Sequence, residues 1–410
     1  MVYKDEKSFM RANSTKFHNA INTGCGTHKA NTKDVKNHRY NLKDPNQYYA
    51  LRTYSGEGFF VANRQLCKTQ QITWGYDIHW AYGGALVNND FPLSLKVSEN
   101  PTKLGVVQIK INLKNKKDLL QYKRYPQFDY TLFYNNQFYY EMENVDCIYA
   151  WFTNLDYEIF KDMYNIPHTI IQQLYYQDIG PLPQQVHKLV RQAYIDKKKP
   201  ENKQFKPLYE AVYYGLSAKD LKNDIVKKHI NKTFKFYDFI TLDDIIDTAG
   251  ILHLNGDSEN KQQLRPEYCI IATWQTAYTR YREWQHFKEN IDNVIYMNTD
   301  SIYANKPLDL GEDKGLGYYA LEYNGLPVLY LRRGAYIIFN EDGTYKKTIT
   351  GIIDNYLTTE QIELLKIGQY VDNVHSRDKD GNEVLITLDP EYLNGGIYKD
   401  FLKRKRKKKI

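Results

Sequence analysis

Two acidic residues interrupt stretches that otherwise have the composition of buried strands. Asp77 lies in Gln71-Ile-Thr-Trp-Gly-Tyr-Asp-Ile-His-Trp80, rich in β-branched and aromatic residues. Asp300 lies in Val294-Ile-Tyr-Met-Asn-Thr-Asp-Ser-Ile-Tyr-Ala304, which reads as strand, tight turn, strand. An ionised carboxylate there costs several kcal/mol unless it is paired or bound to a metal. The chain therefore either exposes both acids in β-turns, with Thr299 and Ser301 as ordinary turn residues, or brings them together around a divalent cation. Mg2+ held by one or two carboxylates and substrate phosphates is the arrangement used for phosphoryl and nucleotidyl transfer.

The other bulk properties narrow the class. With 410 residues, 42% of them hydrophobic, the chain can build one large core or two to three smaller ones, which excludes a disordered or collagen-like protein. No stretch approaches the roughly 18 consecutive apolar residues of a membrane span. The N-terminus lacks the apolar segment of a signal peptide, so a cytosolic protein without a membrane partner is expected. Cys25, Cys67, Cys147 and Cys269 are far apart and form no CxxC pair, so reduced, structural thiols are expected. The net charge of +7 comes from the seven cations of Lys403 to Lys409, and the remainder is balanced. Such a run stays solvated and can touch nucleic acid or any acidic surface. The 38 tyrosines fit AT-rich coding as well as a stacking role, so each is judged by its position.

Along the chain, residues 1–45 are polar and weakly periodic and read as an extension. Strand-like segments follow at Phe59 to Val61, Gln71 to Trp80, Val106 to Leu113, Phe133 to Tyr140 and Asp146 to Phe152. Helical periodicity runs from Leu155 to Met163, Pro183 to Ile195, Phe205 to Ala218 and Glu267 to Asn290, where Trp274 and Trp284 read as core residues. Further strands are expected at Gly317 to Tyr323, Val328 to Leu331 and Tyr336 to Phe339. There is no internal repeat, and the order is mixed α+β.

Taken together, these segments resemble family B DNA polymerases, specifically the protein-primed branch of small phages and linear plasmids. Asp77-Ile-His-Trp-Ala-Tyr-Gly-Gly84 is similar to the DxxSLYP motif, and Tyr296-Met-Asn-Thr-Asp-Ser301 to YxDTDS. The resemblance implies Asp77 and Asp300 as catalytic metal ligands, the Ile78 carbonyl as a further ligand and Tyr82 as a steric gate against a 2′-hydroxyl. Tyr54-Ser-Gly-Glu-Gly-Phe59 is similar to the template-contacting YxGG motif with one residue inserted, implying DNA contacts at Tyr54, Gly56 and Gly58. Glycines there would admit a close backbone. Ala150 to Asp156, followed by a helix, resembles the region where this branch carries its primer-protein insertion. Gln275 to Arg280 sits where a TxxGR-like DNA-binding motif is expected, which nominates Arg280. Leu316-Gly-Tyr-Tyr319 with Tyr330-Leu-Arg-Arg-Gly-Ala-Tyr336 resembles the stretch ending in KxY, which nominates Arg332, Arg333 and Tyr336 for the primer end.

Several positions depart from the family pattern. Motif B, KxxxNSxYG, has its nearest match in Phe205 to Gly215. Tyr214-Gly215 fits, but Pro207 falls at the lysine, so Lys206, with Lys197 or Arg191, would hold the nucleotide phosphates. Asn298 replaces the first Asp of DTD, which removes a charge but spares the ligand. Gly334 replaces the Lys of KxY, leaving the phosphate contact to an arginine of different geometry. Only 76 residues precede Asp77, too few for the exonuclease domain of this branch, so no proofreading is expected from this chain itself.

The resulting expectation is an α+β right-hand polymerase with an antiparallel palm sheet, helical fingers and a small thumb. Its regions are an extension (1–45), a first palm segment (46–100), an insertion like the priming-protein-contacting region (101–185), fingers (186–220), a second insertion (221–263), a second palm segment (264–345), thumb (346–402) and basic tail (403–410). The reaction implied is DNA-templated addition of dNMPs to a primer 3′-hydroxyl with two Mg2+ ions, for which Mn2+ can substitute. The implied partners are primer-template DNA, dNTPs, a priming terminal protein and a separate exonuclease subunit, in the cytoplasm of a bacterial host. The alternatives are a primase-like self-priming polymerase and a degenerate, non-catalytic DNA-binding replication protein. A glycosyltransferase with a DxD metal site is disfavoured, because the motif here reads Asn-Thr-Asp.

Overall fold

A computed structural model of the chain describes residues 58–93, 97–111, 122–130, 148–205, 209, 266–332, 335–349, 357–367, 369, 371–377 and 383–388. Its main sheet contains β1 (Phe60–Asn63), β2 (Gln70–Ile78), β6 (Phe128–Asp129), β10 (Val294–Asn298), β11 (Ser301–Ala304), β12 (Tyr319–Arg332), β13 (Ala335–Phe339) and β14 (Tyr345–Ile349). The strand order is β14-β13-β12-β2-β11-β10-β1-β6, and every pairing is antiparallel. A second sheet, β4-β8-β5-β7, is built from β4 (Val97–Ser98), β5 (Gly105–Ile111), β7 (Ile148–Thr153) and β8 (His168–Tyr176). Two small pairs complete the set, β3 (Asp90–Pro92) with β9 (Ile179–Pro181) and β15 (Val371–Arg377) with β16 (Glu383–Leu388).

Five α-helices accompany these strands among the described residues: α1 (Ala81–Asn88), α2 (Asn154–Met163), α3 (Gln184–Lys197), α4 (Pro266–Glu289) and α5 (Thr359–Lys366). Strand alternation gives the main sheet two covered faces. Tyr76, Ile78, Met297, Ile302 and Tyr319 pack against Trp284 and Phe287 of α4 and Phe160 of α2. On the other face, Tyr296, Tyr303 and Tyr330 form an aromatic cluster with Phe60 and Cys67. Trp274 and Trp284 are 0% and 7% exposed, both core residues as expected. Cys67 is buried, and burial pushes its thiol up to about 12, the behaviour of a structural cysteine.

The segment Gln71 to Trp80 is a strand leading into a turn, as expected: β2 ends at Ile78, and Trp80 enters the left-handed region at φ 52° ahead of α1. Three differences from the sequence-based expectation have physical causes. The two strands expected between 317 and 331 are one bent strand, β12, whose register shifts twice against β2 around Tyr323. The expected boundary at 345/346 falls inside β14, which pairs with β13 in the main sheet. Finally, the expected insertion at 101–185 shares its core with the main body, since Leu104, Val106 and Leu174 pack with Trp80 and Leu86 near α1 and with Trp274 of α4.

Candidate active site

The two strand acids meet. β2 and β11 are neighbours, with Asp77 opposite Ser301 in the antiparallel register, and the Ile78 amide donates to the Asp300 carbonyl at 2.8 Å. Both aspartates are half-buried. Ile78 and Tyr76 point into the core beside α4, so alternation turns Asp77 to the opposite face of the sheet. The turn between β10 and β11 is tight: Thr299 is left-handed at φ 64°, its amide donates to the Phe59 carbonyl at 2.8 Å, and the Asp300 amide donates to the Asn298 carbonyl at 2.7 Å.

Gly58, nominated for a template contact, has a steric task in the fold. A Cβ at this position would stand 2.4 Å from Thr299 Cα, so the missing side chain makes room for the turn that carries Asp300. Gly84 does the same on the Asp77 side, where a Cβ would come within 2.3 Å of Gly317 Cα.

The turn after Asp77 is gripped by the segment before β12. The Gly317 amide donates to the His79 carbonyl at 2.7 Å, and the His79 amide donates to the Tyr318 carbonyl at 2.9 Å. The His79 imidazole lies 3.1 Å from Asp313. Tyr82 stands in the first turn of α1, half-buried, and its carbonyl accepts from Gln275 Nε2 of α4 at 2.8 Å. Lys197, at the end of α3, sets its ammonium 4.5 Å from the Trp80 ring centroid. The fold thus brings Lys197 to the segment that holds Asp77 and Tyr82.

Arg280 is corrected from a DNA-contacting residue to an internal one. It is 4% exposed, and its Nε and Nη2 donate to the two carboxylate oxygens of Asp156 at 2.7 and 2.8 Å. Asp156 also accepts from the Thr153 hydroxyl, whose oxygen caps α2 by accepting from the Asp156 amide. A guanidinium so committed is not presented to phosphate. Tyr336 lies on β13 opposite Tyr330, half-buried, with its hydroxyl accepting from Tyr303 at 3.2 Å. Arg332 ends β12 opposite Ala335. Tyr54, Gly56, Lys206, Tyr214 and Arg333 lie outside the described residues.

Periodicity did not single out Glu283 and Tyr319, which lie directly beneath the site. Glu283, on α4, is fully buried and accepts a hydrogen bond from the Tyr319 hydroxyl. Burial pushes its carboxyl up to about 8, opposed by the Tyr319 bond and reinforced by the negative charges of Asp300 and Asp77. Tyr319 itself appeared only inside the Leu316–Tyr319 resemblance. The sequence signal for Glu283 was an acid in an aromatic-rich helix stretch, which also fits an exposed face.

For a divalent ion, the donor set is two half-buried carboxylates, one on β2 and one in the turn that enters the neighbouring β11, and no group of three or more His, Cys, Asp or Glu that could hold a metal occurs among the described residues. That matches Mg2+, which takes one or two carboxylates and completes its shell with water and phosphate, and does not match an all-protein cage.

No protein-family model matches the chain. A DNA polymerase of Streptococcus phage Cp-1 is 26% identical over 212 residues, covering 50% of this chain and 34% of that protein. The solved structure of Phi29 DNA polymerase with primer-template DNA and incoming nucleotide superposes with a TM-score of 0.57 at 17% identity, covering 92% of this chain and 66% of that one. The same polymerase with single-stranded DNA gives 0.55 at 17% identity, covering 85% and 62%. The chain thus spans about a third of the curated relative and somewhat under two thirds of the solved structures. With Asp77 and Asp300 side by side on an antiparallel sheet backed by helices, the likeness assigns this chain the right-hand polymerase fold.

Proposed function

We propose that this chain is a DNA-templated DNA polymerase of the protein-primed type, adding dNMPs to a primer 3′-hydroxyl. The observation that carries the reading is the meeting of Asp77 on β2 with Asp300 at the turn that enters β11. It is supported by the relative from phage Cp-1, a DNA polymerase, and by structural neighbours solved with primer-template DNA and nucleotide.

In this reading Asp77, Asp300 and the Ile78 carbonyl would hold Mg2+, which would supply Lewis-acid stabilisation of the charge that develops in nucleotidyl transfer. A bond forms between the primer 3′-oxygen and the α-phosphorus, the bond from that phosphorus to the bridging oxygen of pyrophosphate breaks, and the hydroxyl proton passes to solvent. Tyr82 lies under the incoming sugar and excludes a 2′-hydroxyl. Lys197, held near Trp80, contacts the nucleotide phosphates together with Lys206. Tyr336 and Arg332 or Arg333 support the primer end. A priming protein, whose hydroxyl replaces the DNA primer at initiation, is the partner this type requires.

The deciding experiment is extension of a labelled primer on a DNA template with dNTPs and Mg2+, comparing the native chain with Asp300→Asn and including a lane without primer. Loss of metal-mediated stabilisation worth several kcal/mol, at tenfold per about 1.4 kcal/mol, predicts at least about a thousandfold slower extension by the variant. Product without primer moves the reading to a self-priming enzyme. Tight DNA binding without incorporation in Mg2+ or Mn2+ moves it to a non-catalytic binding protein.

A further inference from the structure

We propose that Glu283, acting through the Tyr319 hydroxyl, is a positioning residue that fixes the Asp77–Ile78 end of β2 for metal binding; this rests on the functional reading above. Glu283 is 0% exposed, and its Oε2 has no hydrogen-bond partner among the described residues. A half-satisfied carboxyl in a core is costly, and an apolar residue of similar volume would pack there at lower free energy. Packing alone therefore does not account for an acid at this place.

What Glu283 holds explains it. Its Oε1 accepts from the Tyr319 hydroxyl. The Tyr319 ring has the Arg282 guanidinium 4.9 Å from its centroid and meets His286 edge-on at 5.2 Å. The ring is thus fixed from three nearby positions on α4. On β12, Tyr319 is the register partner of Ile78, and Ala320 is the partner of Asp77. Arg282 also donates to the Gly317 carbonyl, and the Gly317 amide donates to the His79 carbonyl. Helix α4 therefore grips the strand end around Ile78 at two points, one through a phenol and one through a main-chain carbonyl. Any displacement of Tyr319 is passed to the strand end that carries the first metal ligand. Outer partners of metal ligands act in this way, at about 10- to 100-fold in metal affinity or activity.

The test uses the full chain with Tyr319→Phe, Glu283→Ala and Glu283→Gln. Tyr319→Phe removes one oxygen and no ring volume. It is expected to lower kcat for primer extension by about 10- to 100-fold while leaving KM for dNTP and Kd for primer-template DNA unchanged. Mn2+ affinity, read by electron paramagnetic resonance without DNA or nucleotide, is expected to fall by a similar factor. Glu283→Ala should behave alike, Glu283→Gln should recover most of the loss because its amide oxygen still accepts from Tyr319, and Tyr319→Phe combined with Glu283→Ala should lose no more than either alone. If folded Tyr319→Phe keeps both its kcat and its Mn2+ affinity, the proposal fails. Losses that follow the melting temperature alone also overturn it. If the native chain extends no primer at all, the polymerase reading fails separately, and Mn2+ affinity in the same variants still decides this one.

Discussion

Helix α4 carries two buried ionisable groups one turn apart, and they are treated in opposite ways. Arg280 meets Asp156 in a bidentate pair with contacts at 2.7 and 2.8 Å, and the pair ties α4 to the capped start of α2. Glu283 has no counter-ion pair and one bond, to a neutral phenol, among the described residues. The first arrangement is internally compensated and asks nothing of the rest of the molecule. The second leaves a carboxyl in the field of Asp77 and Asp300, a cost that makes sense only where position near the site matters more than stability.

The contrast can be broken most forcefully at the compensated end. Arg280→Ala strands the Asp156 carboxylate in the core and is expected to lower stability by about 3 to 5 kcal/mol, measured as a shift in urea unfolding. Replacing both partners together, Arg280→Met with Asp156→Leu, should return most of that loss. A single variant as stable as the native chain would show that the pair is not what secures α2.

At the uncompensated end the expected effect within any one pH unit is smaller, and it depends on pH. The folded pKa of Glu283, about 8, lies above its ordinary 4.5, so the folded chain keeps a proton that the unfolded chain has released. Stability is then lost as pH rises from about 4.5 to about 8, by at most about 1.4 kcal/mol per pH unit. The groups that face this carboxyl are Tyr319, Arg282, Asp300 and Asp77, so unfolding is best followed with metal chelated. Glu283→Gln should flatten the decline, and an unchanged slope would assign it to other groups.

Lys123 sharpens the comparison from the other sign of charge. Its side chain is 6% exposed, 3.6 Å from Asp129 and 4.5 Å from the Tyr130 ring centroid. Burial draws its pKa down from 10.5 to about 8 despite the aspartate. Here the unfolded chain binds the extra proton, so stability should rise between about pH 8 and 10.5, by at most about 1.4 kcal/mol per pH unit, over a narrower window than that of Glu283. Lys123→Met should remove that rise in thermal melts taken across the same range.

Much of this architecture was legible in the residues. The acids at 77 and 300 interrupt patterns strong enough to mark strands, and the helix expected from Glu267 to Asn290 is α4 within a residue at each end. Trp274 and Trp284 proved to be core. What could not be read depends on long-range partners. Arg280 looks the same in sequence whether it faces phosphate or Asp156, because the deciding contact comes from a residue on another helix. Gly58 reads as a flexible turn glycine until Thr299 is seen pressed against it. Glu283 is one acid among many, and only the sheet above it gives it meaning. The strand His168–Tyr176 was missed because its own residues show no clear alternation, with burial varying irregularly along its length.

The pairing of β2 with β11 also has a consequence for how the protein comes into being. Its register joins Asp77 to Ser301, residues separated by more than half of the chain, and contacts of such long range are slow to form. A ribosome extends the chain from one end at about 5 to 20 residues per second, so the growing polypeptide carries one half of the candidate site for many seconds before the other is made. Throughout that time it holds a strand end without its neighbour and no complete pair of carboxylates. The candidate site would be completed late and at once, when the hairpin around Thr299 slides in beside a strand that was synthesised long before it.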